Sequence, residues 1–103
     1  MTIGQLLSHT SGLPQWKAIY LYSNNRQDTL KYIEEQKLEF KPGEYKYSDL
    51  GYMTLAFIAE KITGEAFDKY VAKTIYEPLE MKNTMFNPLK NGVDKSQIAV
   101  TSY

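Results

Sequence analysis

The residues of this chain that could do chemistry gather in one run, Tyr45-Lys46-Tyr47-Ser48-Asp49. The run follows the turn signal Pro42-Gly43 and opens a long apolar stretch. Tyr47, Ser48 and Asp49 put a phenol, a hydroxyl and a carboxylate together at the expected start of a helix. Such a set could move protons. A free phenol titrates near pH ~10, so a tyrosine needs ~4 kcal/mol of help to act as a base at neutral pH. A close ammonium is one source of that help. Lys46 is adjacent, but neighbouring side chains of an extended segment point to opposite faces. Asp49 would oppose a phenolate. Tyr47 is therefore not expected to act as a base within this chain. Plainer roles exist for all three residues. Asp49 can be an N-cap, worth ~1 kcal/mol. Ser48 can serve backbone amides with its hydroxyl, and Tyr47 can pack under the helix.

His9, between Ser8 and Ser11, is the other residue that invites a catalytic reading. Ser8 is its chain neighbour, and no carboxylate is evidently placed to orient the imidazole. His9 reads instead as a turn histidine bonded to local backbone. Trp16, Tyr20 and Tyr22 could line a substrate rim, but packing is the simpler reading. Glu34, Glu35 and Glu60 form no acid–base pair and read as solvated faces.

Apolar spacing and cap residues predict the elements that hold these groups. Thr2-Ile3-Gly4-Gln5 has the form of a capping box. Ile3, Leu6 and Leu7 give the following short helix an apolar stripe, and it should stop between Ser8 and Gly12. Residues 15–24 read as a loop with some helical turn. Asn25 can cap a second helix over 26–36, with Leu30 and Ile33 inward. Leu38 and Phe40, at spacing two, predict an extended piece within 38–47. Asp49 is expected to cap a third helix over 50–63, where Leu50, Met53 and Phe57 recur at helical spacing. Leu55, Ala56, Ile58 and Ala59 widen its apolar face, which predicts burial on most sides. Gly64 suits its C-terminal stop. Ala66, Phe67, Tyr70, Val71 and Ile75 predict a fourth helix that ends before Pro78. Loops follow from Leu79, with a short extended segment at 98–101. The expectation is a mainly α chain, one partial domain over 1–103.

Bulk properties narrow the function classes. At 103 residues the chain can bury roughly 60–70% of its unfolded surface, a modest core. Twelve basic residues balance twelve acidic ones, with no run of five or six of one sign. A nucleic-acid partner is not expected, since phosphate binding needs a basic excess. There is no cysteine and one histidine, so no metal or cofactor is expected. No apolar run approaches the ~20 residues of a membrane span, and Met1 to Gln5 lack the pattern of a signal peptide.

Four blocks, in order, carry a resemblance. Thr2-Ile3-Gly4-Gln5-Leu6-Leu7-Ser8-His9-Thr10-Ser11-Gly12-Leu13-Pro14 resembles the T-I-x-x-L-L-x-H-T-S-G-L-P block of the serine β-lactamase family. That family includes class C β-lactamases, low-molecular-weight penicillin-binding proteins and related esterases. Phe40-Lys41-Pro42-Gly43-Glu44 through Tyr47-Ser48-Asp49-Leu50-Gly51-Tyr52 is similar to its F-x-P-G-x-x-x-x-Y-S-N-x-G-Y block. Ile62-Thr63-Gly64 resembles the end of its next helix, and Glu77-Pro78-Leu79-Glu80-Met81-Lys82-Asn83-Thr84-Met85-Phe86 its x-P-L-G-M-x-x-T-x-F block.

The resemblance implies the helical subdomain of the β-lactamase/transpeptidase-like fold. It also implies an acyl-enzyme formed by the serine of a Ser-x-x-Lys motif. In the family that lysine and the tyrosine of Tyr-x-Asn handle the serine's proton. By resemblance Tyr47 is the general base/acid, and Asp49 stands where the asparagine usually is. A carboxylate there cannot donate an amide hydrogen bond but can hold an ammonium. Ser8, Ser11, Ser23, Ser48 and Ser96 all lack a lysine three residues on, and no Lys-Thr-Gly follows. The nucleophile, its lysine and the closing strand are thus absent, and the chain reads as an excerpt of a larger serine hydrolase. The implied parent acts on β-lactam, peptidoglycan-peptide or ester bonds, outside the cytoplasm, as a bacterial periplasmic protein would. The chain alone is expected to be inactive, and to self-associate through apolar surface left uncovered. The rival reading is a non-catalytic helical interaction module that keeps the family scaffold.

Overall fold

Thr2 starts the first helix as its box predicts. Its hydroxyl accepts from the Gln5 N–H at 3.1 Å, and the Gln5 side chain accepts from the Thr2 N–H at 3.0 Å. Helix α1 then runs Ile3–Leu7. Helix α2, Arg26–Glu34, opens on Asn25, whose Oδ1 accepts from the Asp28 N–H at 2.9 Å. Helix α3, Asp49–Thr63, closes on Gly64 at φ 70. Helix α4, Phe67–Val71, continues into one π-helical stretch, Ala72–Tyr76. Short 3₁₀ turns occupy Ile19–Leu21, Pro88–Asn91 and Lys95–Gln97. The computed structural model describes residues 1–101, and among them no strand forms. The chain is mainly α, and none of the described helices is long and apolar enough to cross a membrane.

The described residues fall into two compact units, Met1–Gly64 and a second that begins at Glu65. In the first, α1 and α2 both pack on α3. Its buried apolar residues are Leu6, Leu13, Ile19, Ile33 and Leu50. Ile19, Ile33 and Leu50 form one cluster, with Tyr32 and Phe57 against it. Full burial of a side chain such as Leu50 stabilises by about 1.5–3 kcal/mol.

One expectation for this unit needs correction. α3 is not buried on most sides: its buried residues are Leu50 and Gly51, while Met53 is 42% and Ile62 75% exposed. Within the unit, the helices that pack on it are α1 and α2, which leave Leu55, Ala56, Ile58 and Ala59 half-buried. Residues 38–47 form no ladder. With no partner strand, the amides of Glu39, Phe40, Gly43 and Lys46 go to carbonyls of residues 9–12, which folds the segment onto the turn after α1.

In the second unit the fourth helix ends before Pro78 as predicted, but its last turn widens. The Glu77 N–H reaches back five residues to the Ala72 carbonyl at 2.9 Å. Phe86 packs beside Phe67 and Tyr76, with centroids 6.0 and 6.4 Å away. Asp94 caps the Lys95–Gln97 turn, and the Ser96 hydroxyl, then its amide, hold that carboxyl below its ordinary value. Ile98 leaves this turn in an extended conformation.

Glu80 carries a strain that its sequence hides. It sits at φ 55, in the left-handed region, at the position where the x-P-L-G-M pattern has glycine. A side chain there costs roughly 1–2 kcal/mol, partly offset by the greater freedom glycine has when unfolded. Glu80→Gly is therefore expected to stabilise by about 1 kcal/mol. Thermal unfolding of the two proteins side by side checks this, and the variant should melt several degrees higher.

Candidate functional site

The site is built where the turn after α1 meets the segment before α3. Four backbone carbonyls of the turn accept hydrogen bonds. The Lys46 N–H donates to His9 at 2.8 Å and the Gly43 N–H to Thr10 at 2.9 Å. Gly12 accepts from both the Glu39 and Phe40 amides, at 2.9 and 3.2 Å. The Asp49 N–H donates to Gln15 at 3.0 Å. The Lys17 ammonium adds a link to Glu39 at 2.6 Å, and that hydrogen bond raises its pKa above the ordinary lysine value. Two segments about 35 residues apart in the chain are thus clamped edge to edge.

Ser48 is the pivot of the clamp. It is 1% exposed. Its hydroxyl donates to the Pro14 carbonyl at 2.7 Å and accepts from the Gly51 N–H at 3.0 Å. Ser48, not Asp49, is the N-cap of α3. Both residue types cap well, so the choice falls to tertiary structure: the Pro14 carbonyl needs a donor, and only a hydroxyl can donate and cap at once. Asp49 becomes the first residue of the helix, where its charge suits the positive end of the helix dipole. Both functions of the Ser48 hydroxyl are taken, so it is not free as a nucleophile. Among the described residues, no serine hydroxyl bonds a histidine or lysine.

His9 differs from expectation in its partner. It does sit in a turn, at φ 57, a conformation histidine adopts more readily than most residues. Its ring, however, does not serve local backbone. Nδ1 accepts from the Ser48 N–H at 3.1 Å, 39 residues away in the chain. An acceptor at Nδ1 puts the neutral ring's proton on Nε2. Tyr47 packs on one side at 4.5 Å between centroids, and Tyr52 stacks at 4.8 Å with planes 23° apart. The Tyr52 hydroxyl donates to the Leu7 carbonyl at 2.9 Å, and Tyr45 meets the ring edge-on at 6.1 Å.

Tyr47 is 57% exposed despite that contact. Its phenol is held in place on one side and open on the other. It is not packed under the helix. Trp16, Tyr20 and Tyr22 are 61%, 71% and 67% exposed, so they are not core. Tyr22 stacks on Tyr32, with centroids 5.2 Å apart. Residue reasoning missed His9 and Tyr52 as partners of the tyrosine segment. The only signal that could have joined them was the co-occurrence of the two motif blocks.

A family model described as Beta-lactamase matches residues 1–102. The chain belongs to the beta-lactamase family. Within that family it is 43% identical, over 98% of its length, to the Escherichia coli (strain K12) protein called "Putative D-alanyl-D-alanine carboxypeptidase". It is 39% identical, over 93% of its length, to the N-acetylmuramyl-L-alanine amidase of Bacillus subtilis (strain 168). The match covers 25% and 24% of those two proteins, so this beta-lactamase-family chain spans about a quarter of the length of its curated relatives. Among solved structures it resembles the D-amino acid amidase of Ochrobactrum anthropi SV3, complexed with L-phenylalanine amide. The TM-score is 0.64 and the identity 26%, over 82% of this chain and 26% of that one. The mainly α architecture is therefore that of a helical part of the β-lactamase/transpeptidase-like fold.

Proposed function

We propose that this chain forms one wall of the catalytic cleft of a bacterial serine hydrolase, and that Tyr47 is the proton-transfer group on that wall. The observation that carries the reading is Tyr47 itself, clamped through Ser48 and His9 yet 57% exposed. A buried structural tyrosine would not need that openness, and a solvent tyrosine would not need that clamp. In the whole protein a serine hydroxyl outside these residues adds to an amide or lactam carbonyl. Its proton passes through Tyr47 and the motif lysine to the leaving nitrogen. Water then hydrolyses the acyl-serine ester and restores the hydroxyl. Asp49 would hold the lysine ammonium as an acceptor. Two relatives have D-amino acids in their names, which favours peptides or amides of D-amino acids as substrates, outside the cytoplasm. Among the described residues, the Ser48 hydroxyl is engaged by Pro14 and Gly51, and the nucleophile of this reading is a serine outside these residues.

Fluorescent penicillin followed by intact-mass measurement tests the reading. The whole protein should gain one covalent adduct, mapped to a serine outside these residues, and the 103-residue chain none. An adduct on the chain itself, or none on the whole protein, would overturn it.

A further inference from the structure

We propose that His9 is a positioning residue, and that its neutral form, protonated on Nε2, holds Tyr47 in its working place; this rests on the role proposed above for Tyr47. The Nδ1 acceptor fixes the Ser48 amide at 3.1 Å, one residue from the phenol-bearing backbone. The same ring covers one side of the Tyr47 ring at 4.5 Å. His9 thus sets both the backbone and the ring of Tyr47. Tyr52 stacks on the same imidazole and is itself tied to α1 through the Leu7 carbonyl.

The arrangement also makes the position sensitive to acid. A second proton on the ring would put an N–H at Nδ1 against the Ser48 N–H, so two donors would face each other. No ion pair with the ring is found among the described residues. The side chains that face it are the phenols of Tyr45, Tyr47 and Tyr52. α1 has no charged side chain, and Lys46 directs its ammonium over Phe40 and toward Glu44. Asp49, in the first turn of α3, makes no ion pair with His9, and neither does any other described carboxylate. Protonation therefore loosens the clamp at Ser48 and lets Tyr47 move.

Two substitutions separate the acceptor from the ring. His9→Asn keeps an acceptor oxygen near the place of Nδ1 and tolerates φ 57. His9→Phe keeps a stacking ring but leaves the Ser48 amide without its partner. In the whole protein, His9→Phe should slow acylation by fluorescent penicillin roughly 10–100-fold, the scale of a misplaced catalytic group. His9→Asn should stay within about threefold at neutral pH, and its pH profile should lack one proton of the acid limb seen with histidine. A second measurement needs no activity. Nitrogen-15 spectra of the 103-residue chain should show His9 protonated on Nε2, and the Ser48 amide signal should move as that ring titrates. Equal losses in the two variants, an unchanged acid limb in His9→Asn, or an Nδ1-protonated ring would each overturn the proposal. If the whole protein takes no adduct, or Tyr47→Phe is silent, the role of Tyr47 fails and this one with it. If Tyr47→Phe is slow and His9→Asn behaves as His9→Phe, only the role of His9 fails.

Discussion

Gly12→Ala is expected to unfold the first unit at temperatures where the unchanged chain is folded. Gly12 lies at φ 86, and a Cβ added there would stand 2.5 Å from the Phe40 carbonyl oxygen. Real Cβ atoms do not approach backbone oxygen that closely, so either the turn or the 39–47 segment must move. Moving them strains the two hydrogen bonds that the Gly12 carbonyl accepts from Glu39 and Phe40. The left-handed backbone costs roughly 1–2 kcal/mol with a side chain. Each weakened hydrogen bond costs roughly 0.5–1.5 kcal/mol. The loss should reach about 3–4 kcal/mol, against a total of about 5–15 kcal/mol for a chain this size. Gly43→Ala is the control. It has a similar φ of 97 but nothing within 4 Å of the added carbon, so it should show the backbone cost alone. Urea unfolding followed by tryptophan fluorescence at Trp16 compares the three proteins. Equal midpoints for the two variants would contradict the close approach of Gly12 and Phe40.

The sequence made local features legible and left the long-range ones hidden. Thr2 with Gln5, Asn25, and Gly64 each announce a helix end locally, and each end stands where it was expected. The mainly α architecture and the family resemblance were also readable. Ser48 and Asp49 compete for one cap, and the winner depends on the Pro14 carbonyl, 34 residues away. His9 finds its partner at Ser48 for the same kind of reason. Period-two spacing at Leu38 and Phe40 suggested an extended piece, but spacing does not reveal that its amides meet the turn after α1. The wide apolar face of α3 predicted burial, though spacing does not say how many neighbours cover it. Glutamate itself does not suggest the left-handed backbone of Glu80; the glycine of the x-P-L-G-M pattern was the one sign of it.

Tyr47→Phe is expected to abolish most of the chemistry of the whole protein while leaving this fold intact. The phenol oxygen makes no hydrogen bond among the described residues that phenylalanine would lose. The ring contact with His9 at 4.5 Å survives the change. What disappears is a group that can take a proton from a serine and pass it to a leaving nitrogen. General acid–base groups contribute roughly 10²–10⁴-fold, and the acylation rate should fall by that factor. Far-UV circular dichroism and the unfolding midpoint should not change. The decisive measurement is the rate constant for covalent labelling of the whole protein by fluorescent penicillin, with tyrosine and with phenylalanine at position 47. A fall of about 10²-fold or more, with unfolding unchanged, is the predicted result. Equal labelling rates would contradict the assignment of Tyr47 to the catalytic cleft.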